Sequence, residues 1–291
     1  MSWLITGGSG QLGIAVSQEL GERGMIFHAW GSRELNITQE PIVRDVIVKL
    51  SPKIIINCAA WTDVDGAEAN EMLACRVNSD GAENIALAAK QCGAKLIHIS
   101  TDYVFSGESQ VPWQVTDETN PQSAYGRTKA AGERRVLTAY PENSSVVRTA
   151  WLYSPWGKNF AKTMTRLAIK GKGEVKVVND LMGQPTSATD LAKQLVALGQ
   201  STAPAGIYHG TNAGQATWFE FASEIFKLAG ADDSRVSPVP ASAYPRTAKR
   251  PAYSVLGHER WGITSVPPMK DWKIALSEAM PAIILAVKAE E

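Results

Sequence analysis

Thr6-Gly7-Gly8-Ser9-Gly10-Gln11-Leu12-Gly13 decides how this chain is read. The stretch follows a short apolar run at residues 3–6, which reads as a strand. It opens a run at 11–23 with helical spacing. Glycines at such a turn let the backbone bend tightly and approach a pyrophosphate closely. The helix start behind them offers unpaired N–H groups and the positive end of a dipole. Two glycine spacings overlap here, Gly8-x-Gly10-x-x-Gly13 and Gly7-x-x-Gly10-x-x-Gly13. Placed at the first strand–helix turn, they point to a dinucleotide, with Gly7, Gly10, Gln11, Leu12 and Gly13 around it.

Outward from this loop, short apolar runs alternate with longer helical patterns. Strands are expected at 25–30, 53–58, 95–100 and 145–148. Helices are expected at 40–50, 67–91 (with a break near Asn78) and 124–140. Runs such as Ile54-Ile55-Ile56 show no alternation. Uninterrupted β-branched strands between helices imply a parallel sheet covered on both faces. The fold class is therefore α/β, a doubly wound, Rossmann-like sheet. After Thr149 the rhythm loosens. Helices are expected at 160–170, 189–198 and 217–228, a strand at 207–209, and an ordered loop at 237–251. Thr217 followed by Glu220 is a capping-box pattern. The division expected is a nucleotide-binding domain at 1–150 and a smaller, substrate-side lobe at 151–291, with some later segments returning to the first domain.

Composition narrows the function classes. The 291 residues are 44% hydrophobic, with 29 basic and 29 acidic side chains. A neutral balance provides no global field for nucleic acid, so an anionic ligand must be held by local groups. Cys58, Cys75 and Cys92 form an odd set without a C-x-x-C pair, which argues against a disulfide scaffold and for a reducing compartment. The start of the chain lacks signal-peptide character. No apolar run is long enough to span a bilayer; 279–287 is short and carries Pro281. A cytoplasmic protein is expected, without a membrane or nucleic-acid partner. His28, His98, His209 and His258 are scattered and make no metal cluster.

The second strand should end near the adenosine ribose, where an acidic residue would repel a 2′-phosphate. This chain has Gly31-Ser32-Arg33 there. A hydroxyl and a guanidinium suit that phosphate, which favours NADPH. Glu34 beside them keeps NADH use open, and a solvated surface Arg is the bland alternative. Tyr125 and Lys129 stand four apart, on one face of the expected helix. A phenol needs help to exchange protons at neutral pH, and a nearby ammonium favours its ionised form. Ser100-Thr101 ends the preceding strand, the edge where open α/β sheets bind ligands. The Thr101 hydroxyl can meet the same substrate oxygen.

With these features in order, the sequence resembles the extended short-chain dehydrogenase/reductase superfamily, and within it the dTDP-4-dehydrorhamnose reductase family. The segments carrying the resemblance are Ala59-Ala60-Trp61-Thr62-Asp63-Val64-Asp65-Gly66-Ala67-Glu68, Ser100-Thr101-Asp102-Tyr103-Val104-Phe105 and Tyr125-Gly126-Arg127-Thr128-Lys129. Arg148-Thr149-Ala150-Trp151, Asn159-Phe160, Gly183-Gln184-Pro185-Thr186 and Arg250-Pro251-Ala252-Tyr253-Ser254 follow. They span nearly the whole chain.

The resemblance implies reduction of the C4 keto group of a dTDP-4-keto-6-deoxyhexose by NADPH. It makes Tyr125 the proton donor, Lys129 its partner and a ribose ligand, and Thr101 the group that orients the carbonyl. Asn36 and Ile37 match the stretch on adenine, with Asn36 where relatives usually carry Asp. Ala59, Ala60 and Thr62 match residues along the cofactor. Thr62, Val64, Tyr103 and Trp151 match the sugar's border, although Val64 and Trp151 also read as core. Arg250 is a candidate for a substrate phosphate or for a surface salt bridge. Some members dimerise through magnesium held by two acidic positions, which here read Ala15 and Thr189, with Asp190 next door. The expectation is no metal, and a monomer or weak homodimer. Competing readings are a nucleotide-sugar epimerase, another 4-ketoreductase, and a non-catalytic NADP-binding subunit, to which the beta subunit of methionine adenosyltransferase is similar.

Overall fold

A computed structural model describes residues 2–290. The first half runs β1 (Ser2–Thr6), α1 (Gln11–Glu22), β2 (Ile26–Trp30), α2 (Glu40–Leu50), β3 (Ile54–Asn57), α3 (Val64–Ala69), α4 (Glu71–Cys75), α5 (Gly81–Cys92), β4 (Lys95–Thr101), α6 (Ala124–Ala139) and β5 (Ser144–Thr149). The second half runs β6 (Leu152–Tyr153), α7 (Phe160–Lys170), β7 (Val175–Val178), β8 (Met182–Gly183), β9 (Thr186–Ser187), α8 (Ala188–Gln200), β10 (Gly206–His209), β11 (Ala216–Thr217), α9 (Trp218–Leu228), β12 (Val236–Val239) and α10 (Trp272–Ala289).

Six strands form one parallel sheet in the order β10-β5-β4-β3-β1-β2. From β1 the chain moves outward to β2, then crosses back to β3 on the other side. The strand order therefore reverses between β1 and β3, and a crevice opens there at the carboxyl edge.

The three isoleucines of β3 show why the sheet is two-sided. Ile54 and Ile56 join Trp3, Ile5, Val16, Leu20, Leu191 and Leu195 on the face covered by α1 and α8. Ile55 joins Leu4, Val43, Ile47, Ile85 and Ala86 under α2 and α5. Adjacent side chains point to opposite faces, so a strand buried on both sides must be apolar throughout. Each fully buried Ile or Leu contributes roughly 1.5–3 kcal/mol.

A separate core lies in the second half. Phe221, Ile225 and Phe226 of α9 meet Ala161 and Met164 of α7 and Trp272, Leu276, Met280 and Ile283 of α10. Thr217 caps α9 as its sequence suggests, with Glu220 closing the capping box.

Local departures from the sequence reading have physical causes. The helical run at 67–91 is three short helices with a π-helical turn at Arg76–Asp80. The turn leaves Asn78 free to bond Trp61 and Thr128, and its carbonyl lies where a β-carbon on Gly132 would stand, at 2.1 Å. The stretch 237–251 is not loop throughout. Ser237–Val239 belong to β12, which pairs in parallel with β7 despite Pro238. A two-stranded ribbon has an outer edge, where proline costs no ladder bond. Helix α10 continues through Pro281. Among the described residues no helix is long and apolar enough to cross a membrane.

Candidate active site

The glycine loop wraps the start of α1. Gly7 has φ 67°, and a β-carbon on it would lie 2.6 Å from the Ala59 nitrogen. A β-carbon on Gly13 would lie 2.3 Å from the Gly7 carbonyl oxygen. Side chains at either position would close the crevice. The helix start is bare: Gly10 gives no side-chain cap, and the first turn carries no acidic residue. That leaves N–H groups and dipole directed at whatever anion sits above.

This loop forms one end of a cleft of about 650 Å³. Gly7, Gly10, Gln11, Leu12, Gly13, Ser32, Asn36, Ile37, Ala59, Ala60, Thr62, Val64, Thr101, Tyr103, Tyr125, Lys129 and Trp151 all line it. Two of the residues singled out from the sequence stand elsewhere. Arg33 is exposed beside the cleft rather than in its wall. Arg250 lines an adjoining cavity of about 660 Å³, which shares Tyr103, Trp151 and Trp218 with the cleft. There Arg250 is ion-paired to Asp65 at 2.7 Å and lies over the Tyr103 ring. Lys176, Arg246 and Lys249 also border this second cavity.

The cleft fits a dinucleotide. Besides the glycine cradle, the buried hydroxyls of Ser100 and Thr149 reach its lining without a hydrogen-bond partner in the protein. A buried hydroxyl left unpaired is costly unless a ligand or water serves it.

At the inner end, Ser123 caps α6 and sets its first turn. Tyr125 and Lys129 then face the end of β4. Lys129 is buried, and its Nζ donates to the Ile99 carbonyl at 2.6 Å. Burial pulls this ammonium down to about 8. Its charge is felt by Cys58 and by His98. Burial pushes the Tyr125 phenol up to about 12, against a hydrogen bond with Thr101 that lowers it. Burial, not the Lys129 ammonium expected from the sequence to favour the phenolate, governs this phenol. The phenol thus keeps its proton at neutral pH, the form that can donate one.

Thr101 donates to Asp102 Oδ1 at 3.0 Å and accepts from the Tyr103 nitrogen. Burial raises the Asp102 carboxyl to about 6. Tyr103 meets Tyr125 edge to face, ring centres 5.6 Å apart. Behind the site, Asn57 accepts from Thr6 and from the Ala59 nitrogen, and donates to His98. This chain of bonds ties the carboxyl ends of β1 and β3 to the middle of β4.

Trp218 is a site residue that the sequence reading passed over. It opens α9, and its indole lines both cavities. The capping box showed where the helix begins; nothing local showed that its first residue would reach a cleft built by the other half.

A family model described as RmlD substrate binding domain matches residues 1–284. The chain belongs to this family.

The RmlD family assignment agrees with full-length relatives. The chain is 45% identical over 285 residues to a dTDP-4-dehydrorhamnose reductase of Streptomyces griseus, covering 97% of this chain and 93% of that one. It is 43% identical over 284 residues to a dTDP-4-keto-6-deoxy-D-glucose reductase of Streptomyces niveus, covering 97% of each. The crystal structure of a Bacillus anthracis dTDP-4-dehydrorhamnose reductase, solved in complex with NADP, superposes with a TM-score of 0.92 at 38% identity. It covers 96% of this chain and 98% of that one. As an RmlD family member, this protein is a nicotinamide-dependent oxidoreductase.

Proposed function

We propose that this protein reduces the C4 keto group of a dTDP-4-keto-6-deoxyhexose, dTDP-4-dehydrorhamnose first among the candidates, with NADPH as reductant. The observation that carries this reading is that Thr101, Tyr125 and Lys129 line the same cleft as the glycine loop. Bound NADPH supplies a hydride. The chain does the rest. Gly7, Gly10 and Gly13 with the start of α1 hold the pyrophosphate. Ser32 and Arg33 take the 2′-phosphate, Asn36 and Ile37 border the adenine, and Ala59, Ala60 and Thr62 run along the cofactor.

Residues 1–150, joined by α8 and β10, form mainly the cofactor side, and the rest of 151–291 mainly the sugar side. Val64, Tyr103 and Trp151 enclose the sugar, and Arg250 can exchange Asp65 for a substrate phosphate. Thr101 orients the carbonyl oxygen. Tyr125 gives that oxygen a proton as negative charge develops on it, and Lys129 stabilises the phenolate left behind. No step requires a metal. The reading includes a cytoplasmic monomer or weak homodimer.

The relatives differ in the sugar they are named for, so the test is a panel. NADPH oxidation is followed with several dTDP-4-keto-6-deoxyhexoses, and each product is identified. Turnover on none of them, with NADPH bound, would leave the non-catalytic NADP-binding reading in place.

A further inference from the structure

The reaction as proposed leaves Trp218 without a role, yet its surroundings are tightly specified. Its ring stacks on Trp151 with centres 3.6 Å apart and planes at 13°. Phe160 closes on its flank at 4.6 Å. Trp151 is confined as well: a β-carbon on Gly183 would come within 2.5 Å of its indole. The Trp151 backbone sits at φ 44°, a left-handed conformation that costs a non-glycine residue on the order of 1–3 kcal/mol. Packing overrides that cost, so the indole pair is held in one place. Both indoles line the junction of the two cavities, beside Tyr103, and make that stretch of wall largely apolar.

We propose that Trp218 determines specificity at C6, accepting the methyl group of a 6-deoxy sugar and disfavouring a C6 hydroxyl. The proposal rests on the substrate class given above. A hydroxyl placed against stacked indoles surrenders hydrogen bonds to water and gains none in return. A methyl group gains contact area instead. Discrimination by an apolar wall against one added hydroxyl reaches about a hundredfold at most.

The test compares affinity for dTDP-L-rhamnose and dTDP-L-mannose, which differ in one C6 hydroxyl, on protein saturated with NADP⁺. The parent should favour the deoxy sugar by about 10- to 100-fold. Trp218→Ala should bring the ratio close to one, while affinity for dTDP alone holds. Trp218→Phe, which keeps a flat apolar face, should retain most of the ratio. If Trp218→Ala does not bind NADP⁺, Trp218→Gln fills part of the space, makes the face polar and carries the same expectation. A ratio left unchanged by the Ala or Gln replacement overturns the assignment, as does a parent that binds both sugars equally. A parent that binds NADP⁺ but neither sugar removes the proposed substrate, and the assignment with it.

Discussion

The ammonium of Lys129 donates to the backbone carbonyl of Ile99 at 2.6 Å, two residues before Thr101. This bond pins α6 to the end of β4 and keeps a charge beneath the cleft. Burial lowers the Lys129 ammonium from 10.5 to about 8. Below pH 8 it is protonated folded and unfolded alike, and the burial cost is constant. Between pH 8 and 10.5 the unfolded chain binds the proton and the folded one does not, so this group makes stability rise with pH. Lys129→Met abolishes that term. Its stability relative to the parent should therefore decline as pH rises from 8 to 10. Urea unfolding at pH 7, 9 and 10 measures this, and a constant difference would show that Lys129 is not depressed.

Tyr125→Phe keeps the ring and removes the hydroxyl. General acid catalysis contributes roughly 10²–10⁴-fold, so turnover should fall by about that factor while NADPH still binds to the glycine loop. Lys129→Met should cause similar loss and weaken NADPH as well. The double variant should fall short of the product of the two, because the residues act as a unit. Near-parental turnover in Tyr125→Phe would remove it as the acid.

Arg33 stands exposed beside Ser32, outside the cleft wall. If it reaches the 2′-phosphate, that charge-assisted bond contributes about 1.5–3 kcal/mol. Arg33→Asp should then move preference toward NADH by about 10-fold or more. Calorimetric titration of both cofactors decides it; equal affinities in the parent would end the claim.

Gly13→Ala should be damaging, although alanine ordinarily stabilises a helix relative to glycine. Its new carbon would meet the Gly7 carbonyl at 2.3 Å, and that atom is backbone. NADPH affinity should collapse, with stability reduced by more than the ~1–3 kcal/mol of ordinary overpacking. A variant that binds NADPH normally would mean that the loop is not the cradle.

Activity should survive EDTA. Ala15 cannot ligate a cation, and the Asp190 carboxylate is already engaged by Asn212 at 3.0 Å and Lys270 at 3.3 Å. Loss on chelation, restored by magnesium, would contradict this.

What was legible in the sequence is what local chemistry dictates. Apolar runs such as Ile54-Ile55-Ile56 require burial on both faces, and glycines at a strand–helix turn permit a backbone approach that other residues block. The spacing of Tyr125 and Lys129 is one helical turn, and Thr217 with Glu220 closes its capping box within four residues. Each of these depends on neighbours a few positions away, so the chain carries the information locally.

Contacts between distant segments were decided by the tertiary structure. The parallel pairing of β7 with β12 joins segments about 60 residues apart, and neither strand is long enough to announce itself. Asp65 captures Arg250 across the chain, which no spacing reveals. Trp218 reaches the cleft because α9 packs on α7 and α10 in a core of its own. The ionisation of Tyr125 and Lys129 turned on burial, a property of the whole packed molecule. Sequence determined which groups could do the chemistry, since turns, caps and strand faces are set by short-range sterics and hydrogen bonds. Only the assembled core, by excluding water and joining remote surfaces, decided how those groups are charged and what walls enclose them.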